Sequence, residues 1–412
     1  MAQLNITLNQ DEMLQLLSNN REEAFRKLLE NSLNSILKAE STEQLKAEPY
    51  ERSEARTDSR NGSRDRGLTT RIGHITLHVP RHRNVPFKTM IFDNYTRSEA
   101  ALILCMAEMV VNGVSTRKVS RVVEAICGTA FSKSTISALC KELDEKVEAF
   151  RNRPLTGSYP FVSIDATYFK VREDHRVISK AFMIAYGTND KGEREVLGFG
   201  VYRNESKETW NDFIKGLKQR GLNGVLMFIS DAHEGITNAV TKVFPGVPWQ
   251  RCQFHFARNI TDKVPKKYQA GLRTELQDLF NSASLKEAVQ KRDAILEDYQ
   301  DIAEDAMKCL DDGFNDAMTV MTLPKHLRKY YRTTNHIERL NKELKRRSRV
   351  IGVFPNEASL LRLMGAVLME RNDYIQTMKV VFSPATYASL LSSDVPAKLY
   401  TIASEQRQLL AA

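Results

Sequence analysis

The chain has 412 residues, more than one ordinary core holds, so two or three domains are expected. Hydrophobic residues make up 42% and charged residues 27%, a normal soluble globular balance that sets aside fibrous and membrane-embedded classes. The net charge of +9 would attract a polyanion, although charge alone does not identify one.

No charged-then-apolar leader is visible, and no apolar run approaches the roughly 18 residues of a membrane span. The longest candidate, AALILCMAEMVVNGV, is interrupted by Glu108 and reads as a buried helix. Cys105, Cys127, Cys140, Cys252 and Cys309 are scattered without a paired framework, which suggests a reducing, cytoplasmic compartment.

In chain order, residues 9–40 place Met13, Leu16, Leu17, Phe25, Leu28, Leu29, Leu33 and Leu37 at helical spacing. A lone amphipathic helix cannot bury such a stripe, so it is expected to pack on another domain or on a second copy of the chain. Residues 41–67 then turn polar and Arg-rich, which predicts an extended or disordered linker. Arg52, Arg56, Arg60, Arg64 and Arg66 either track phosphates or belong to a solvated linker. The next stretch, TTRIGHITLHVPRHR, alternates through Ile72, Ile75, Leu77 and Val79 and predicts a small hairpin with Gly73 near its turn.

Residues 97–150 hold three helical patterns. The first closes at Gly113, the second runs from Ser115 or Thr116 to Gly128, and the third opens at Ser132. Short helices about a Gly-containing turn suit a helix-turn-helix, which would put Ser132, Lys133, Ser134, Thr135 and Ser137 near DNA. An ordinary helical bundle with Ser132 as a cap reads the same way.

From residue 160 the period becomes that of strands: FVSIDATYFKV, RVISKAFMIAYG and EVLGFGVYR form an antiparallel meander. A helix, the apolar strand GVLMFISDA, a second helix and a short strand near PWQRCQFHF follow. The order βββαβαβ predicts a mixed α/β sheet of the ribonuclease H type. Residues 257–330 carry helical patterns only, and TTNHIERLNKELKRRSRV begins a final set of helices.

Three acids carry candidate chemistry. Asp165 sits within an apolar strand, where an acid needs a partner, be it a metal ion or a Lys or Arg. Asp231 ends an apolar strand, where ligands of open α/β sheets collect, but it could equally cap the next helix. Glu338 stands at capping-box spacing from Asn335, yet it heads a segment, residues 331–350, holding seven Lys or Arg and two acids. Two aspartates and a glutamate suffice to hold two Mg²⁺ ions for phosphodiester cleavage. Cys252 and His255 form a Cys-x-x-His unit without a second pair, which argues against structural zinc. His255 could contact the active site and Arg258 could touch DNA, while Trp210 and Trp249 read as core residues.

The segments SIDATYFKV, ISDAHEGI, RCQFHFARN and TTNHIERLNKELKRRSRVIGVFPN, together with the upstream RNG, VPRHR and NGVSTRKVS elements, resemble the Mutator-type transposases of bacterial insertion sequences. That resemblance implies a DDE-type, ribonuclease-H-like catalytic domain interrupted by a helical insertion. It implies Asp165, Asp231 and Glu338 as catalytic and metal-binding residues, with Cys252 and His255 as signature residues. It further implies two Mg²⁺ ions (Mn²⁺ as a substitute), terminal inverted repeats and target DNA as double-stranded partners, and a homodimer in a bacterial, nucleoid-associated setting. The DNA-contacting set expected is Arg60, Arg64, Arg66, Arg81, Arg117, Lys118, Ser132, Lys133, Ser134, Thr135, Arg339, Lys342, Lys345, Arg346, Arg347 and Arg349.

The division so expected begins with a helical dimerisation region (1–45), an Arg-rich linker and hairpin (46–95) and a helix-turn-helix-like domain (96–155). A catalytic domain follows in two pieces (156–256 and 331–375) around the all-helical insertion (257–330), and a C-terminal helical region (376–412) ends the chain. The competing readings are a DNA-binding regulator that no longer cuts, and a ribonuclease H-like nuclease without strand transfer.

Overall fold

The computed structural model describes residues 21–70, 72–89, 100–127, 131–132, 135–136 and 140–411. The chain divides into two compact units, Met1–Glu142 and Leu143–Ala412.

In the first unit, helix α1 (Arg21–Leu45) lies on a hairpin of β1 (Arg60–Thr70) and β2 (Gly73–His82). Residues 9–20 of the expected helix fall outside the described residues. Part of the apolar stripe of α1 packs within its own chain, where Leu29, Leu33 and Leu37 meet Leu68, Ile75, Leu77 and Val79, while Phe25 is half exposed. Side chains of α1 also satisfy the edge of β2. Asn34 donates to the Thr76 carbonyl at 3.0 Å and accepts from the His78 N–H at 2.7 Å, while Glu30 accepts from the Thr76 N–H at 3.0 Å.

The Arg-rich segment departs from the linker expectation, because its second half, from Arg60, is the first strand of the hairpin. Its arginines are partly spent on the chain itself. Arg56 donates to the carbonyls of Asp58 and Glu51, and Arg60 donates to Thr42 Oγ1 and the Ala47 carbonyl. Asp58 accepts the N–H groups of Val85, Asn84 and Ser59, which hold its carboxyl down at about 2.

Helices α2 (Ala100–Val111) and α3 (Thr116–Cys127) follow, with Gly113 between them at φ +83°. The apolar segment read as a buried helix is α2, whose Leu102 and Met106 pack with Val119 and Val123 of α3 and with Phe131 and Ile136. The third helical pattern is not one continuous helix. Thr135 and Ile136 are helical, Cys140–Glu142 forms a 3-10 turn, and α4 (Leu143–Asn152) begins the second unit, where it packs on the strand Arg194–Tyr202 and the helix Glu357–Gln376.

The second unit is built on a five-stranded sheet in the order β5-β4-β3-β6-β7, comprising β3 (Phe161–Glu173), β4 (Arg176–Thr188), β5 (Arg194–Tyr202), β6 (Met227–Ser230) and β7 (Trp249–Arg251). The first three are antiparallel neighbours, whereas β6 and β7 run parallel to β3. Alternation along β3 sends Val162 and Ile164 to one face, where α5 (Lys207–Gln219) and α6 (Glu234–Val243) cover them with Trp210, Phe213, Ile236 and Val240. Phe161, Ser163 and Asp165 lie on the other face. Phe161 packs there with Met227, Ile229 and the more C-terminal helices.

After β7 the chain is helical, as its sequence predicts: α7 (Gln253–Thr261), α8 (Lys266–Phe280), α9 (Leu285–Tyr299), α10 (Glu304–Met318) and α11 (Lys325–Tyr331). Helices α7 to α10 enclose a separate core around Phe256, Leu272, Leu276, Leu310 and Phe314. The remaining helices are α12 (Asn335–Ser348), α13 (Glu357–Gln376), α14 (Pro384–Ser392) and α15 (Val395–Ala411). No helix of the described residues is long and apolar enough to cross a membrane.

Candidate active site

Strand β3 is the switch point of the sheet, with the antiparallel meander on one side and the parallel pair on the other. Ser163 lies opposite Ile229 in the parallel register. Two residues on in each strand come Asp165 and Asp231, so the register brings the two aspartates level just where β6 ends. Burial and then the Asp231 carboxylate push Asp165 up to about 7.

Each acid departs from its ordinary structural role. Among the described residues, Asp165 forms no salt bridge with Lys or Arg; it accepts from the Ala166 N–H at 2.8 Å and from Asn341 Nδ2 at 2.7 Å. Asp231 does not cap α6, because His233 is the N-cap and accepts from the Gly235 N–H at 3.1 Å. Glu338 does not complete a capping box. The N-cap of α12 is Thr334, with no side-chain cap bond, and Glu338 Oε1 is buried without a hydrogen-bond partner.

Helix α12 and the Cys-x-x-His unit join the third acid to the first two. Asn341, one turn after Glu338, holds Asp165. His255, in the first turn of α7, sits between the others, with Nδ1 3.6 Å from Asp231 Oδ1 and Nε2 3.6 Å from Glu338 Oε1. These separations are ionic contacts rather than hydrogen bonds. The neighbouring Cys252 sulfur, ahead of the two carboxylates and against the effect of burial, pushes His255 above the ordinary imidazole range. A cationic imidazole therefore lies between two acids.

Cys252 is fully buried and accepts from the Thr334 N–H at 3.4 Å and the Thr334 hydroxyl at 3.3 Å. Its own N–H donates to the Ser230 carbonyl at 2.8 Å. It thus ties the start of α12 to the strand end that carries Asp231. Burial would raise this thiol, but the His255 and Thr334 donors bring it below the ordinary thiol range.

The donor set suits a hard divalent cation. Glu338 Oε1 and Asn341 Oδ1 are buried oxygens without partners, beside an aspartate pair that repels itself. Cys252, His255 and Glu338 also place three ligand atoms within 4.8 Å of one another. That cluster is less suited to structural zinc, which takes four ligands, because the sulfur already accepts from Thr334.

The sequence reading missed Asn341 and Thr334. The signal for Asn341 was present: it is a polar residue on the buried stripe of Ile337, Leu340 and Leu344. Trp210 and Trp249 are core residues, as read. Arg258 is exposed and paired at 3.5 Å with Asp262, the C-cap of its own helix.

The basic residues divide by environment. On α12, Arg339, Lys342, Lys345 and Arg346 are exposed, as is Arg349 just beyond it. Arg347 is corrected: it is only 3% exposed and paired with Glu343 at 2.8 Å and Glu370 at 3.2 Å, so it is no phosphate contact. In the first unit Arg64, Arg81, Arg117 and Lys118 are exposed, and Arg66 is half-buried. Arg60 is corrected in the same way, its guanidinium being turned onto Thr42 and Ala47. Ser132 accepts from the Thr135 N–H at 3.1 Å, the cap geometry of an ordinary helical bundle; Lys133, Ser134 and Ser137 lie outside the described residues.

The second unit thus presents an α/β domain with three acids gathered at a sheet switch point and the exposed basic residues of α12 beside them, the arrangement of a nucleic-acid-processing protein. Comparison with known proteins makes this specific: the family described as "Transposase, Mutator family" matches residues 1–377, and the chain belongs to that family. It is 41% identical over 377 residues to the transposase for insertion sequence element IS256 in transposon Tn4001 of Staphylococcus aureus, covering 90% of this chain and 96% of that protein. It is 39% identical over 358 residues to the transposase for insertion sequence element ISRM5 of Rhizobium meliloti (strain 1021), covering 87% and 89% respectively. It is also 37% identical over 383 residues to the transposase for insertion sequence element IS1081 of Mycobacterium tuberculosis, covering 92% of each. Among solved structures, the Drosophila P element transposase strand transfer complex overlaps 79% of this chain and 93% of that chain, with 11% identity and a TM-score of 0.30, too loose to bear on the fold.

Proposed function

We propose that this chain is a DDE transposase of a bacterial insertion sequence, with a ribonuclease-H-like catalytic domain whose metal-binding triad is Asp165, Asp231 and Glu338. It would bind terminal inverted repeats, cleave DNA at the element ends and transfer the strand to target DNA. The observation that carries this reading is the meeting of three acids, each released from its ordinary structural role, at one switch point.

Asp165, Asp231 and Glu338 would hold two Mg²⁺ ions, with Mn²⁺ as a substitute. When bound, such ions neutralise phosphate charge and lower the pKa of an attacking water or 3′-hydroxyl. The chain's own residues do the positioning. Asn341 fixes the Asp165 carboxylate, His255 spaces Asp231 from Glu338, and Cys252 anchors the start of α12. The exposed stripe Arg339, Lys342, Lys345 and Arg346 would run along the phosphates beside them. A homodimer at the paired ends belongs to the same proposal.

The test is incubation of purified protein with Mg²⁺ and DNA carrying the element end. Nicked and joined products that vanish in Asp165→Asn, with DNA binding retained, support the reading. Binding without cleavage by the wild type would indicate a regulator, and cleavage without joining a simple nuclease.

A further inference from the structure

A cavity of about 300 Å³ opens on the same sheet face as Asp165. Ser163 forms part of its floor and lies two residues before Asp165, so the two share a face about 7 Å apart along β3. Arg339, immediately after Glu338, stands at its rim. The cavity and the acid site therefore share both β3 and α12.

Its lining is unlike that of the acid site. Of its thirteen residues none is acidic, while Arg194, Lys329 and Arg339 are cationic. The inner wall is aromatic: Tyr331 stacks on Phe161 at 3.9 Å between centroids, and Tyr186 lies 4.6 Å from the His336 ring. Deep in it, His336 Nε2 is buried without a hydrogen-bond partner, and the Tyr331 hydroxyl, on a side chain only 3% exposed, meets Thr188. A buried nitrogen left in this way calls for a ligand that brings a hydrogen-bond partner.

We propose that this cavity takes one unpaired nucleotide of the DNA strand being processed, next to the phosphate at the carboxylates. Cations at the rim meet its phosphates, the exposed Tyr330 ring meets the base face, and the buried His336 nitrogen meets the base edge. The volume sits at the small end of ligand pockets, room for one nucleotide and none for a duplex. The spacing to Asp165 is about one nucleotide step, so a strand with a phosphate at the acids delivers its neighbour to this opening. The inference rests on the transposase reading above and adds that the strand is unpaired at that step.

The experiment uses the full chain and end DNA with 5-iodouracil at single positions flanking the cleavage site, irradiated and mapped by peptide. One position should cross-link to the peptides holding Tyr186 or Tyr330 and Tyr331. An unpaired base there should raise the yield roughly fivefold over a paired one. Lys329→Glu and Arg194→Ala, checked for unchanged melting, should lower that yield by a similar factor. Lys329 is exposed, so its variant should fold even if the Arg194 variant does not. Adducts confined to other peptides, or yields unchanged in the variants, overturn the cavity proposal while leaving DNA retention, and hence the transposase reading, intact. Failure of the wild type to retain the DNA at all sinks both.

Discussion

Helix α12 carries two glutamates with opposite surroundings. Glu343, toward its C-terminal half, is bound by Arg346, Arg347 and Arg371, which hold its carboxyl far below the usual range. Glu338, one and a half turns earlier, keeps a buried oxygen without a partner and faces an imidazole at ionic distance. The residue type and the helix are the same. What differs is that one acid is enclosed by three guanidinium groups, while the other meets an imidazole at ionic distance and keeps a buried oxygen for a bound cation. A glutamate of the first kind stabilises the fold, and one of the second kind is available for chemistry.

Substitution should separate the two sharply. Glu338→Gln should reduce cleavage by roughly a thousandfold or more with melting little changed, because it removes a buried carboxylate oxygen that no hydrogen bond of the fold satisfies. Glu343→Gln should do the reverse. It takes from the nearly buried Arg347 its closest acidic partner, a loss of about 2–4 kcal/mol after discounting for solvent, and activity should fall only with the folded fraction. Denaturant melts and Mg²⁺-dependent cleavage on the same preparations check both. A Glu343→Gln protein that is stable and inactive would reverse the assignment.

Protonation sharpens the contrast further. The Asp165 carboxyl is raised from 3.8 to about 7, so folded, ion-free protein holds this proton more tightly than the unfolded chain does. Its contribution to stability is present at acid pH and is lost as pH rises from about 4 through 7. Asp165→Asn should therefore stabilise the ion-free protein at pH 8 and leave it unchanged at pH 4. Divalent ions compete with the same proton, so Mn²⁺ affinity measured by calorimetry should rise roughly fivefold between pH 6 and pH 7, about twofold more by pH 8, and flatten above it. Affinity independent of pH would remove Asp165 from the ligand set.

The Cys-x-x-His unit acts on this site through position. Cys252→Ser keeps an acceptor but shortens its reach to Thr334, so α12 should seat less firmly. We expect roughly tenfold slower cleavage, partly recovered at high Mg²⁺, with DNA retention unchanged. Recovery by added ion is the distinguishing readout, since a simple loss of fold would not respond to it.

Much of the sheet was legible in sequence because strand period and connection order are local signals: the βββαβαβ order and the all-helical stretch after it are both found. The acids were legible only as candidates. Whether Asp231 caps a helix depends on His233 taking that place, and whether Glu338 caps one depends on Thr334 turning to Cys252, a residue 82 positions earlier. Asn341 was legible as a polar residue on a buried stripe, but its role was hidden for a related reason. Its partner Asp165 lies 176 residues away, and nothing local announces that contact. The Arg-rich segment misled because composition reports solvation, whereas the order there comes from specific acceptors such as the Ala47 carbonyl.

Those arginines offer the smallest and cleanest version of the same contrast. Arg60 and Arg64 lie four residues apart on β1, but Arg60 is turned onto Thr42 and Ala47 while Arg64 is exposed. Removing Arg60 leaves the Ala47 carbonyl without that donor, so Arg60→Ala should lower stability by about 1–2 kcal/mol. Arg64→Ala should leave melting within about 0.5 kcal/mol of the wild type, as surface changes do. If β1 lies along a phosphate backbone, only Arg64→Ala should reduce the salt dependence of DNA binding, by about one unit of slope. A salt slope that shifts in Arg60→Ala at full stability would show that composition, rather than environment, had the better claim on this strand.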